Sequence, residues 1–244
     1  MAQAVSDAAL ARDIADEAGR LLLALRANPC AALGERGDAE ANALILRRLR
    51  AARPDDFILS EESHDDRARC AARRVWIVDP LDGTREYADG RDDWAVHVGL
   101  AIDGLPVAGA VALPALAELY DSATVRPPPA TQRDPRIVVS RTRAPAEATA
   151  LSAALGGTLV PMGSAGAKAM AIVRGDADIY FHAGGQHEWD NCAPVAVALA
   201  AGLHASRADG TPLTYNCVET FVPDLLICGS EWAGPCLSPL TRGS

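Results

Sequence analysis

The strongest constraint on what this chain can fold into is a change of hydrophobic period near residue 55. Before it, residues 7–27 set Leu10, Ile14, Ala18, Leu21, Leu22 and Leu25 at helical spacing, which predicts an amphipathic helix with its polar stripe in water. A second helix is expected over residues 39–52, with Asp38 as N-cap and Pro54 closing it. After it, the pattern becomes short apolar runs with β-branched residues, 57–59 and 75–78, each followed by carboxylates. Such runs read as buried strands that deliver acids at their C-terminal ends. Segments 94–102 and 105–113, joined through Asp103-Gly104, predict a hairpin, and 116–125 a further strand.

Residues 126–135 contain three successive prolines, which supply no ladder donors and favour a stiff, extended connection. We therefore expect a sub-domain of residues 1–126, a linker of 127–135 and a second sub-domain of 136–244. The second part alternates strand 137–140, helix 144–155, strand 158–162, helix 165–174, strand 178–182 and helix 191–201. A last strand over 224–229 leaves a short tail. The alternation predicts an α/β layered protein. A chain of 244 residues can build one large core or two halves that share an interface.

Acidic residues outnumber basic ones, 32 to 23, for a net charge of −9. That balance argues against a nucleic-acid or membrane-surface partner and requires any anionic ligand to be met by local cations or a metal. Lys168 is the only lysine among the basic residues. The six cysteines, Cys30, Cys70, Cys192, Cys217, Cys228 and Cys236, form no C-x-x-C pair. With no export signal and no apolar run of roughly 18 residues, they read as free thiols in a soluble, cytoplasmic protein.

The densest local signal is Trp76-Ile-Val-Asp79-Pro-Leu-Asp82-Gly-Thr84, where a strand runs into a Pro turn and then a helix start. Two carboxylates three residues apart suit a hard divalent cation such as Mg²⁺, which takes oxygen ligands and is shared with phosphate. The backbone N–H groups of Gly83 and Thr84 could then hold a phosphoryl oxygen. Alone, the same turn is equally compatible with Asp79 and Asp82 serving as turn formers. Glu61 and Glu62 end the strand 57–59, where a solvated loop is the plain alternative. Asp190 and Asp38 precede helices, where N-capping would account for them. Acids at several strand ends and helix starts can converge on one edge of the layers, and their mutual repulsion makes a metal the natural counter-charge. The histidines at 64, 97, 182, 187 and 204 lack metal-ligand spacing. No cysteine stands beside a basic residue or histidine in a phosphate-binding loop, which argues against a thiol nucleophile.

Ser60-Glu61-Glu62-Ser63, then residues 76–84, then Glu188-Trp189-Asp190 followed by Ala193 and Gly202, resemble in order and spacing the inositol-monophosphatase superfamily of Mg²⁺-dependent, lithium-sensitive phosphomonoesterases. The likeness spans nearly the whole chain. Within that superfamily, residues 163–168 are similar to the glycine-serine-to-lysine segment of the CysQ-type 3′(2′),5′-bisphosphate nucleotidases. The resemblance implies an αβαβα sandwich that hydrolyses the 3′-phosphate of 3′-phosphoadenosine 5′-phosphate (PAP) to give AMP, in support of sulfate assimilation. Inositol monophosphate and fructose 1,6-bisphosphate are the alternative substrates. A catalytically silent sensor is disfavoured, because every residue needed for hydrolysis is present.

Carried onto this sequence, the resemblance makes Glu61, Asp79, Asp82, Asp190 and the Leu81 carbonyl ligands of two or three Mg²⁺ ions. Glu61 and Thr84 would orient the attacking water, with Asp38 behind Thr84. Leu81, Asp82, Gly83, Thr84 and Asp190 would line the scissile phosphate. Substrate choice would fall to cations outside the metal centre. These are Lys168, together with the helix-start N–H groups of Gly163, Ser164 and Ala165, and a clamp of Arg141 and Arg143 on the 5′-phosphate. Two segments depart from family patterns: Glu35-Arg-Gly-Asp38 replaces a T-x-A-D-like run, and residues 180–187 lack the acid of inositol-specific members. Superfamily relatives are often homodimers, so the resemblance makes a homodimer one possible assembly, which the sequence itself does not fix.

Overall fold

Helix α1 (Asp7–Arg26) starts where Ser6 Oγ accepts the Ala9 amide, and it buries Leu10, Ile14, Ala18, Leu22 and Leu25, the stripe its periodicity predicts. A computed structural model describes residues 5–28, 31–129, 134–142 and 144–240. Cys30, Arg143 and residues 130–133 of the expected linker lie outside them. Helix α2 (Leu33–Ala52) begins earlier than expected, so Asp38 is inside it and caps nothing. Gly34 and Gly37 hid this start, since each lowers helix propensity by about 1 kcal/mol relative to alanine. Packing overrides that cost: a Cβ at Gly34 would stand 2.7 Å from Thr84 Cγ2, so the first turn of α2 lies directly on the Thr84 segment.

The first sheet has order β1-β2-β3-β4-β5, with β1 (Phe57–Ser60), β2 (Arg74–Asp82), β3 (Ala95–Ile102), β4 (Leu105–Leu113) and β5 (Glu118–Asp121). β1 and β2 are parallel; the other pairings are antiparallel. β2 does not turn at Pro80. It continues to Asp82, pairing Asp79 with His97 and Asp82 with Ala95 across an irregularity. Proline lacks the N–H that a regular ladder needs there, so the strand bulges instead of ending. The short helix α3 (Thr84–Ala88) follows, with Gly83 before it at φ +90°.

The second sheet has order β7-β6-β8-β10-β9, with β6 (Arg136–Ser140), β7 (Thr158–Met162), β8 (Ile179–His187), β9 (His204–Ser206) and β10 (Phe221–Cys228). β8 runs past the expected end at His182, because β10 pairs with it as far as Phe221 with His187. The remaining helices are α4 (Ala146–Leu155), α5 (Ala165–Arg174), α6 (Glu188–Ala200) and α7 (Ser230–Leu240). β9 and α7 are absent from the sequence reading, which ended in a strand and a tail. The interior of α7 carries Gly234 and Pro235, which weaken its local signal, yet Cys236 is buried against the second sheet.

Three apolar cores separate five layers. Helices α1 and α2 cover one face of the first sheet, with Trp76, Val78, Val96 and Val98 against them. Helices α5 and α6 fill the space between the sheets, in a core joining Ile77 and Val111 of the first sheet to Tyr180 and Ile227 of the second. Helices α4 and α7 cover the outer face of the second sheet through Ala148, Leu151 and Cys236. The close approach of α6 to the first sheet depends on Gly99 and Gly109. A Cβ at either would lie 2.9–3.0 Å from the Ala193 backbone. The result is an αβαβα sandwich.

Candidate active site

Asp79, Asp82 and Asp190 each present a carboxylate oxygen within 4.8 Å of the others. The first two come from the bulged end of β2. The third comes from the first turn of α6, which begins at Glu188 and not at the expected Asn191. Asp190 is therefore not an N-cap. It reaches back to accept the His187 amide at 2.5 Å, in a capping box whose cap is His187. The bulge turns Asp79 inward as well, and the Leu81 amide donates to Asp79 Oδ1 at 3.0 Å.

Burial and the charges of Asp82, Glu61 and Asp190 push Asp79 well above the usual carboxylate range. Burial, then Asp82, lifts Asp190 to about 6. Asp82 moves the other way. Although burial opposes it, His97, Lys168 and the Gly166 amide hold its carboxyl below the usual range. Glu61 follows β1, is exposed and lies near enough to Asp79, Asp82 and Asp190 for their charges to be felt. It is outside the tight trio, and partial desolvation with the charges of Asp190, Asp82 and Glu62 raises it to about 7.

Asp38 projects from α2 behind Thr84. The Thr84 hydroxyl stands 3.1 Å from both Asp38 Oδ2 and the Leu81 carbonyl oxygen and has one proton to donate between them. Asp38 Oδ1 is buried without a hydrogen-bond partner among the described residues. Burial and the charge of Glu62 raise this carboxyl to about 7.

Asp82 and Asp190 line a cavity of about 380 Å³, together with Gly83, Thr84, Arg85, Ser140, Arg141, Gly163, Ser164, Lys168, His182 and Gln186, among others. Lys168 and the start of α5 face this cavity as expected, and the amides of Gly163, Ser164, Ala165 and Gly166 and two of the three Lys168 N–H donors already have partners. The Ala165 and Gly166 amides donate to the two oxygens of Asp82 at 3.2 and 2.6 Å. The Gly163 amide goes to Asp93 Oδ2 at 2.6 Å, and the Ser164 amide to the Asp93 carbonyl at 3.1 Å. The Lys168 ammonium is buried, donates to the Gly163 and Ser164 carbonyls, and lies over the Tyr180 ring at 5.5 Å. The sequence offered these groups to a second phosphate, whereas the fold spends them on Asp82, Asp93 and the helix end. Arg141 also faces the cavity, with Nη2 2.7 Å from Glu86 Oε1. Arg143, its expected partner, lies outside the described residues.

Sequence reasoning missed three groups here. His97, which lacks metal-ligand spacing in the sequence, stands 3.2 Å from Asp82 Oδ2 and has Nδ1 3.1 Å from the Trp189 carbonyl, so it links the two arms of the trio. Gln186 joins Tyr180 and Asn191, and Tyr215 completes that chain through Asn191. Arg85 lines the cavity beside Thr84, a position its neighbouring motif could have flagged.

A profile described as the inositol monophosphatase family matches residues 27–224. The chain belongs to that family. It is 50% identical, over a 247-residue alignment covering 94% of this chain and 91% of the relative, to the 3′-phosphoadenosine 5′-phosphate phosphatase of Mycobacterium leprae. It is 32% identical to the 3′(2′),5′-bisphosphate nucleotidase CysQ of Escherichia coli, covering 76% of this chain and 80% of the relative. The crystal structure of CysQ from Bacteroides thetaiotaomicron superposes with a TM-score of 0.80 at 26% identity, covering 91% and 97% of the two chains. These relationships agree with the sandwich, and inositol monophosphatase family members are metal-dependent phosphatases.

Proposed function

We propose that this chain is a phosphomonoesterase that hydrolyses the 3′-phosphate of PAP, giving AMP and inorganic phosphate, in support of sulfate assimilation. The observation that carries this reading is the meeting of Asp79, Asp82 and Asp190, two of which line a cavity that also holds Thr84 and the side chains of Arg85, Arg141 and Lys168. The family relationship supplies the substrate.

The donor set suits a hard divalent cation: it consists of oxygens, it is acidic, and the repulsion that raises Asp79 and Asp190 would be relieved by positive charge. Asp79, Asp82, Asp190, Glu61 and the Leu81 carbonyl would hold two or three Mg²⁺ ions. Magnesium bound there supplies the electrophilic charge that makes a water acidic and steadies the leaving oxygen. Thr84, whose proton is directed to Asp38 or Leu81, keeps lone pairs that accept from the attacking water and aim it. Glu61, which shares this acidic cluster, would accept the second water proton. The water oxygen bonds to phosphorus as the bond to O3′ breaks, and the departing oxygen is protonated from solvent. Amides of Gly83 and Thr84 at the head of α3 would hold the phosphoryl oxygens.

We also propose a cytoplasmic homodimer that binds neither nucleic acid nor membrane. The net charge of −9 and the lack, among the described residues, of any helix long and apolar enough to cross a bilayer support the expected partners, while the homodimer rests on the family likeness alone.

The test is phosphate release from PAP, inositol monophosphate and fructose 1,6-bisphosphate at fixed Mg²⁺. PAP should give the highest kcat/KM, and chelator, lithium or Asp82→Asn should abolish turnover. Robust turnover in excess chelator would overturn the metal chemistry. A preference for either other ester would overturn the substrate.

A further inference from the structure

Resting on that reading, we infer that Arg85 is the residue that recognises the second phosphate of the substrate. Among the described residues lining the cavity, the lysine and the arginines are Arg85, Arg141 and Lys168. Lys168 is buried and directed to two backbone carbonyls. Arg141 is paired with Glu86. Arg85 makes no ion pair and no side-chain hydrogen bond with any described residue. The acid next to it, Glu86, is held by Arg141, and Asp89, one turn on, forms no pair with it.

The exposed Arg85 guanidinium has no described partner to give up on meeting an anion, only side-chain freedom, whereas Lys168 and Arg141 must first give up theirs. Arg85 is also fixed in place by its neighbours. Thr84 before it faces Asp38, and Tyr87 after it is buried with its hydroxyl donating to the Leu22 carbonyl at 2.8 Å, so the turn that carries Arg85 is anchored at both ends. The planar fork of the guanidinium matches two oxygens of a terminal phosphate, a geometry that an ammonium does not reproduce. With the scissile phosphate at the carboxylate trio, this side chain is the described cation free to meet an anionic group elsewhere on the same substrate. Arg85 then sets specificity for bisphosphorylated nucleosides over monophosphorylated ones.

The test compares PAP with adenosine 3′-phosphate, which lacks only the 5′-phosphate, in the wild type, Arg85→Gln and Arg85→Lys, all with Mg²⁺. The wild type should prefer PAP. Arg85→Gln should shrink that preference on the order of 10- to 100-fold, mainly through KM for PAP, and Arg85→Lys should restore part of it. AMP should also inhibit the Gln variant less well than the wild type. Loss of the same factor on both substrates would overturn the assignment, since it would place Arg85 on the scissile phosphate. An unchanged preference would overturn it too, and would leave the PAP reading intact. A wild type inactive on PAP would remove the functional reading and this assignment together.

Discussion

Asp82 braces the first turn of the helix that carries Lys168: its two carboxylate oxygens accept the amides of Ala165 and Gly166, the latter at 2.6 Å. One side chain thus belongs to the acidic trio and also supplies the negative charge that the positive end of α5 attracts. The interaction locks α5 to β2 and so fixes the distance between the carboxylates and the far wall of the cavity. It also explains why α5 does not present its amides to an anion.

Lys168 is likewise held from within the fold, by the carbonyls of Gly163 and Ser164. Lys168→Met should lower stability by about 1–3 kcal/mol, because the Gly163 carbonyl loses its ammonium donor. Activity should fall by similar factors on PAP and adenosine 3′-phosphate. Thermal unfolding together with kcat/KM on both substrates checks this, and a loss confined to PAP would return Lys168 to phosphate recognition.

Gly166 makes room for the imidazole that links Asp82 to Trp189. A Cβ there would fall on His97 Nε2 and within 2.8 Å of Ala95 Cβ. Alanine normally improves a helix by about 1 kcal/mol over glycine. Here Gly166→Ala should instead destabilise by about 1–3 kcal/mol through overpacking. It should also weaken Mg²⁺ binding, as read by calorimetry. Adding His97→Ala should recover part of the stability but not the affinity. A Gly166→Ala protein as stable as wild type would contradict the packing argument.

Asp38 and Glu61, both raised to about 7, and Asp190, raised to about 6, set the pH response of the metal-free protein. Between about pH 4 and 7 the folded chain retains protons that the unfolded chain has released, so stability must fall as pH rises through that window. The melting temperature without metal should drop by several degrees from about pH 5 to about pH 8, with the slope flattening above. Added Mg²⁺ should stabilise more at about pH 8 than at about pH 5, and its binding should release protons at the lower pH. A metal-free melting temperature that climbs across this interval would refute the assignment.

Several elements were legible because their signal is local. The stripe of α1, the β3–β4 hairpin and the strand at 158–162 depend on spacing and turn chemistry within a few residues. The errors share a different cause. Two glycines obscured the start of α2 because their benefit, contact with Thr84 and neighbouring side chains, arises only across the fold. β2 was cut at Pro80, although a bulge accommodates that residue. β8 was cut at His182 because its last pairings come from β10, more than thirty residues on. In the site, the motifs identified the acids, but no motif revealed that His97 would stand between Asp82 and the Trp189 carbonyl.

What the amino-acid order determined by itself is the supply of parts: carboxylates spaced along strand ends and helix starts, the apolar periods that bury one face of each element, and a family likeness that spans the chain. Tertiary structure alone decided which parts remain available. The amides of Ala165 and Gly166 meet Asp82, Lys168 meets two backbone carbonyls and Arg141 meets Glu86, which leaves Arg85 without a partner among the described residues. The physical reason is that burial follows a periodicity written locally, whereas a buried polar group takes whichever partner the packing brings within about 3 Å, and that partner can lie anywhere along the chain.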